Sequence, residues 1–154
     1  MKDYEIERKF LLKRLPENLE FYPHHEIEQG YLSIDPTIRI RRMDESYFFT
    51  YKGKSVSASA IGHEEFERPI SKEAWEHLLP KIDGKKISKV RYYIPLEKGL
   101  ICELDHFFSP ENGLYLAEVE FENEDEAAAF TAPDWFGEDV SQDPRYKNAV
   151  MSRS

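Results

Sequence analysis

Seven of the eight segments of this chain that read as strands carry charged or hydroxyl side chains at every second position, with apolar or aromatic residues between them. In "EIERKFLL" the residues Glu5, Glu7 and Lys9 share one face, while Ile6 and Phe10 share the other. The pattern returns in "RIR" at Arg39 and Arg41, "TYK" at Thr50 and Lys52, and "EFE" at Glu65 and Glu67. It returns again in "KVR" at Lys89 and Arg91, "ELD" at Glu103 and Asp105, and "EVE" at Glu118 and Glu120. Successive side chains of a strand point to opposite faces, so each segment has one charged and one apolar side. For a single strand this is the ordinary half-solvated pattern of an antiparallel sheet. The set is different: six of the pairs are of one sign, at a spacing of about 7 Å that is repulsive unless opposite charge stands across from it.

Turn signals at "DPT", "MDES", "KGK", "EKG" and "SPENG" separate strands expected near residues 3–12, 25–34, 37–43, 46–53, 61–70, 86–96, 100–107 and 114–121. Three segments read as helices. Ser71 is an N-cap before the apolar stripe Trp75, Leu78, Leu79 and Ile82, with Pro80 ending or distorting the helix. Asn123 and Glu126 have capping-box spacing, and Asp143 caps a segment whose first helical position is Pro144. The expected architecture is α+β: one domain over residues 1–154, with eight antiparallel strands closed into a barrel and helices packed on its apolar outside.

Closing the sheet with the charged faces inward gives a polar lumen of eight acids (Glu5, Glu7, Glu65, Glu67, Glu103, Asp105, Glu118, Glu120) and six bases (Lys9, Arg39, Arg41, Lys52, Lys89, Arg91). Buried charge of that density demands compensation. Carboxylate oxygens suit Mg²⁺ or Mn²⁺, and Arg and Lys suit phosphate oxygens. The lumen therefore reads as a site for a divalent metal and a polyphosphate. The net charge of -9 argues against a nucleic-acid or anionic-membrane surface. No apolar stretch of targeting or membrane-spanning length is present, and the single Cys102 forms no internal disulfide, so a cytoplasmic location is expected.

These motifs, in this order, resemble the CYTH family, also called triphosphate tunnel metalloenzymes, whose hallmark Glu-x-Glu-x-Lys stands here at Glu5, Glu7 and Lys9. The terminal "DPRYKNAVM" is similar to the family's closing helix near one tunnel mouth. The resemblance implies an eight-stranded tunnel that binds a triphosphate lengthwise and hydrolyses or transfers it with Mg²⁺ or Mn²⁺. It implies Glu5, Glu7 and Glu120 as main metal ligands. Glu118, Asp105, Glu65, Glu67 and Glu103 follow as further ligands or water holders, with Lys9, Arg39, Arg41, Lys52, Lys89 and Arg91 as phosphate contacts. The short chain, which lacks the His-Phe pair of the family's cyclases, favours a small bacterial triphosphatase acting on inorganic tripolyphosphate.

A lysine among cations has a lowered pKa, which makes Lys89 a candidate base as well as a phosphate contact, and Tyr31 a candidate for orienting water. Open alternatives are a thiamine or nucleoside triphosphatase, a class IV-type adenylate cyclase, and a non-catalytic polyphosphate or nucleotide-binding module. A homodimer is compatible with the sequence. The five histidines lack metal-ligand spacing and read as surface or packing residues, Cys102 as inert and buried, and Arg8, Arg42 and Arg68 as outward-facing.

Overall fold

The computed structural model describes residues 4–55 and 62–153. Among the described residues nine antiparallel strands, not eight, form one sheet: β1 (Tyr4–Leu12), β2 (His24–Ser33), β3 (Thr37–Met43), β4 (Ser46–Ser55), β5 (Gly62–Pro69), β6 (Asp83–Pro95), β7 (Ile101–Ser109), β8 (Tyr115–Glu120) and β9 (Phe136–Asp139). Their order is β5-β4-β3-β2-β6-β7-β8-β1-β9, with a further pairing of β1 to β5. The eight-stranded closed barrel expected from the sequence is thus corrected. The sheet carries a ninth strand, added beside β1 where Leu12 pairs with Phe136, and among the described residues β1 pairs with β5 at Tyr4↔Glu64, Glu5↔His63 and Ile6↔Gly62. "KGK" is not a turn: β4 runs on to Ser55, and residues 56–61 lie outside the described residues.

The helices are short and sit where their caps place them. Ser71 Oγ accepts from Ala74 N at 3.0 Å to start α1 (Lys72–Leu78), and Pro80 turns the continuation into a 3-10 turn, Leu79–Lys81. Asn123 Oδ1 accepts from Glu126 N at 2.8 Å to start α2 (Glu124–Ala129). The segment after Asp143 forms a 3-10 turn, Pro144–Tyr146, and then α3 (Asn148–Met151).

Two apolar clusters lie on opposite faces of the strands. Ile6, Phe10, Ile94, Cys102, Leu104, Ala117, Val119 and Phe121 occupy the faces away from the charges and are covered by Ala127 of α2 and by Phe136. Cys102 is fully buried there, and burial pushes its thiol up, as expected for an inert residue. Arg8 and Arg42 leave this outer side to pair with Asp139 and Glu28.

The second cluster was not expected. Tyr31, Ile87, Phe107 and Leu116, with Leu11, share the strand faces of the luminal charges, and they pack with Val140, Met151, Tyr146 and Ala149. The polar face is therefore polar over only part of its length. At one end it gives way to an apolar floor closed by the C-terminal segment, which is held there by Lys85 N donating to Ser152 O at 2.6 Å. At the other end, a cavity of about 380 Å³ is bordered by Tyr93, Lys98, Glu103, Glu120 and Glu126.

Candidate active site

Register brings the alternating charges of seven strands onto a common side. Glu7 stands across from Glu120 and Lys9 from Glu118 on β1 and β8; Arg91 stands across from Asp105 on β6 and β7. Arg39, Thr50 and Glu67 line up across β3, β4 and β5. Arg39, Arg41, Lys89, Arg91 and Asp105 are all buried. Charged groups so buried require partners, and the partners divide the site into two regions.

The acidic region centres on Glu5, Glu7, Glu65 and Glu118. Burial pushes Glu7 well above the usual carboxylate range, helped by Glu118 and Glu5. Against the upward push of burial, Lys9 and the hydrogen bond with Glu7 hold Glu118 below it. One proton on Glu7 thus serves two carboxylates. Burial and Glu5 likewise raise Glu65 to about 7. Glu5 Oε1 is 2.7 Å from Lys52 Nζ, yet this buried oxygen has no aligned hydrogen-bond donor. Lys9 Nζ is 3.8 Å from Glu118 and donates to the Tyr146 carbonyl at 2.9 Å. Among the described residues no three acids converge into a finished cation site. Protons and lysine ammonium groups neutralise the acids instead.

The basic region centres on Arg41. Its Nε donates to Gln29 Oε1 at 2.9 Å, and no carboxylate pairs with it among the described residues. Burial, with Arg39 and Arg91 alongside, brings Arg41 down to about 10. Arg39 Nη2 reaches Thr50 Oγ1 at 3.1 Å and Glu67 at 3.4 Å, while its buried Nε has no acceptor. Arg91 grips Asp105 through Nε at 2.7 Å and Nη2 at 3.0 Å, and Lys89 Nζ donates to the same carboxylate at 2.8 Å. Burial outweighs that contact and brings Lys89 down to about 7, with Arg91 and Arg41 adding to the effect. The two-pronged Arg91 is therefore the base that holds Asp105 ionised, at about 2 in spite of its burial.

This geometry sorts the expected residues. Asp105 Oδ1 accepts from Arg91 Nε, and its Oδ2 accepts from Arg91 Nη2 and Lys89 Nζ. Glu67 accepts from Thr50 Oγ1 at 2.6 Å and Glu103 stands 3.3 Å from Arg91, so both serve bases. Tyr31 is buried and its hydroxyl accepts from Gln29 Nε2 at 3.2 Å. Two polar residues stood outside the expected site set. Gln29, fully buried, is a hub between Arg41, Tyr31 and Asn148, and Asn148 Oδ1 accepts from Gln29 Nε2 and Lys89 Nζ at 3.0 Å each. Gln29 was detectable as a polar residue on the face of Tyr31, but Asn148 lies in no strand.

The CYTH domain family matches residues 3–147. The chain belongs to the CYTH family. An inorganic triphosphatase of Nitrosomonas europaea is 40% identical to this CYTH protein over 97% of both chains. An inorganic triphosphatase of Acetivibrio thermocellus is 34% identical over 97% of this chain and 94% of its own. The crystal structure of an inorganic triphosphatase superposes with a TM-score of 0.67 at 38% identity, covering 97% of this CYTH chain and 95% of the other. No helix among the described residues is long and apolar enough to cross a membrane.

Proposed function

We propose that this CYTH protein hydrolyses inorganic tripolyphosphate to diphosphate and phosphate, using a divalent cation. The observation that carries the reading is the division of the buried charges into an acidic region around Glu5, Glu7 and Glu118 and a basic region around Arg41 and Arg39, whose Nε has no acceptor. A buried N–H without an acceptor costs stability and calls for an anion, while crowded buried carboxylates call for a cation. A metal polyphosphate supplies both. The names of the two full-length relatives favour the inorganic substrate over thiamine or nucleoside triphosphates. The apolar floor supports it too, because Met151 and Tyr146 fill the end of the polar face where an organic group would otherwise extend. The chain acts as one domain over residues 1–154, its substrate lying along the charged face of the sheet.

The carboxylates fit a hard cation by donor type and by charge, since protons now stand where metal charge would. Glu5, Glu7, Glu118 and Glu120 would hold Mg²⁺ or Mn²⁺, which when bound polarises phosphoryl oxygens and acidifies water. Arg39, Arg41 and Arg91 bind phosphate oxygens, and Lys9 and Lys52 join them as the acids they now neutralise take up the cation. Phosphoryl transfer needs positioning and charge neutralisation more than covalent chemistry. Lys89, brought down to about 7, takes the proton of the attacking water; the water oxygen bonds to the terminal phosphorus while its bridging P–O bond breaks toward diphosphate. The Tyr31 hydroxyl, which already accepts from Gln29, directs its own hydrogen to that water.

The test is phosphate release from tripolyphosphate, ATP and thiamine triphosphate, each with Mg²⁺, with Mn²⁺ and with excess chelator. Release from tripolyphosphate with metal, and none with chelator, is expected. Equal turnover in chelator would reject the metal, and preference for an organic triphosphate would reject the substrate.

A further inference from the structure

Asn148 is delivered to the site by α3 rather than by a strand, and its place is fixed from two sides. Met151 is buried in the apolar floor, and the preceding Tyr146 carbonyl accepts from Lys9 Nζ. The orientation of its amide is set by hydrogen-bond logic. Arginine side chains only donate. Arg41 Nε therefore fixes Gln29 with Oε1 toward itself at 2.9 Å and Nε2 toward Asn148 and Tyr31. The Asn148 oxygen must then face both Gln29 Nε2 and Lys89 Nζ, each at 3.0 Å.

A neutral amine has two hydrogens and one lone pair. Asp105 Oδ2 at 2.8 Å and Asn148 Oδ1 at 3.0 Å accept both hydrogens of Lys89, so its lone pair is left for a proton from water. With Asp105 as the sole acceptor, the amine rotates about its Cε–Nζ bond and the lone pair loses its fixed direction. We propose that Asn148, oriented by Gln29, is a positioning residue that aims the Lys89 amine at the attacking water, so that the C-terminal segment is part of the hydrolytic machinery. The inference rests on the role given to Lys89 above. It extends that role to a residue of α3, outside the strands that carry the luminal charges.

The test is a double-mutant cycle on the full chain with tripolyphosphate and saturating Mg²⁺, comparing wild type, Lys89→Met, Asn148→Leu and the double variant, with Asn148→Ala as a second truncation. Misaiming a reacting group costs up to about 100-fold, so Asn148→Leu and Asn148→Ala are expected to lower kcat by about 10- to 100-fold with KM within about twofold. In the Lys89→Met background, either change is expected to have no further effect on kcat, because the amine it aims is gone. Losses that multiply in the double variant, or a raised KM at unchanged kcat, would overturn the proposal by assigning Asn148 a structural or substrate-binding role. Melting temperatures of all variants guard against a loss of fold. Absence of tripolyphosphate hydrolysis in the wild type would instead sink the functional reading itself.

Discussion

Glu7→Gln is expected to lower phosphate release from tripolyphosphate by about 100- to 1,000-fold while raising the stability of the metal-free protein. The substitution keeps size and strand pattern but removes the anionic oxygen a hard cation prefers. The stability gain follows from the sign of the shift. Burial, with Glu118 and Glu5, holds Glu7 well above its ordinary value of 4.5, so the folded chain keeps a proton that the unfolded chain releases. Glu7's contribution to the stability of the metal-free wild type is therefore fully present below pH 4.5 and is lost as pH rises toward the raised folded value. Glu65, raised to about 7, adds to the same slope. Melting temperatures of metal-free wild type and Glu7→Gln between pH 5 and 8 are expected to diverge with rising pH, the variant being the more stable. Near-normal turnover in the variant, or parallel melting curves, would place Glu7 outside the cation site.

Lys89→Met is expected to lower kcat by about 100-fold or more and to remove the rising limb of the pH profile. Burial is the largest influence on Lys89, and Arg91 and Arg41 reinforce it, so that in spite of Asp105 the amine is brought from 10.5 to about 7. A base is active when neutral, so wild-type kcat should rise through pH 7 and level off above it. Measured from pH 5.5 to 9.5 with saturating Mg²⁺, the variant should lack that rise. A limb that persists unchanged would assign the titration to another group and return Lys89 to phosphate binding.

How much of this was legible in the sequence follows from the range over which each feature is determined. The charged faces were, because strand alternation is local: two residues of spacing placed Arg39 beside Arg41 and Lys89 beside Arg91 without knowledge of their neighbours. Caps were legible for the same reason, and Ser71 and Asn123 make the hydrogen bonds their types predict. The ninth strand was not, since Phe136–Asp139 is too short to show a period and forms by pairing with a strand at the other end of the chain. The apolar floor was hidden by attention to charge. Leu11, Ile87, Phe107 and Leu116 continue the very faces of Lys9, Lys89, Asp105 and Glu118, and following each face past its last charge would have shown it.

The partners of the luminal acids were not legible, because alternation within one strand says nothing of what stands across from it. Asp105 has the same place in its motif as Glu120 has in its own, yet Arg91 and Lys89 take up both of its oxygens. Asn148 was beyond reach for a different reason. It stands 59 residues from Lys89 and 119 from Gln29, and only the packing of Met151 into the floor brings the three together.

The central claim is that cation and phosphate meet inside the sheet, held by the two segregated sets of charges. Anomalous diffraction from crystals grown with Mn²⁺ and a non-hydrolysable imido analogue of tripolyphosphate tests it most directly. The account predicts a manganese peak bounded by Glu5, Glu7, Glu118 and Glu120, with analogue oxygens on Arg39, Arg41 and Arg91. Manganese or analogue bound only on the outer face of the strands, with Glu5 still on Lys52, would contradict it.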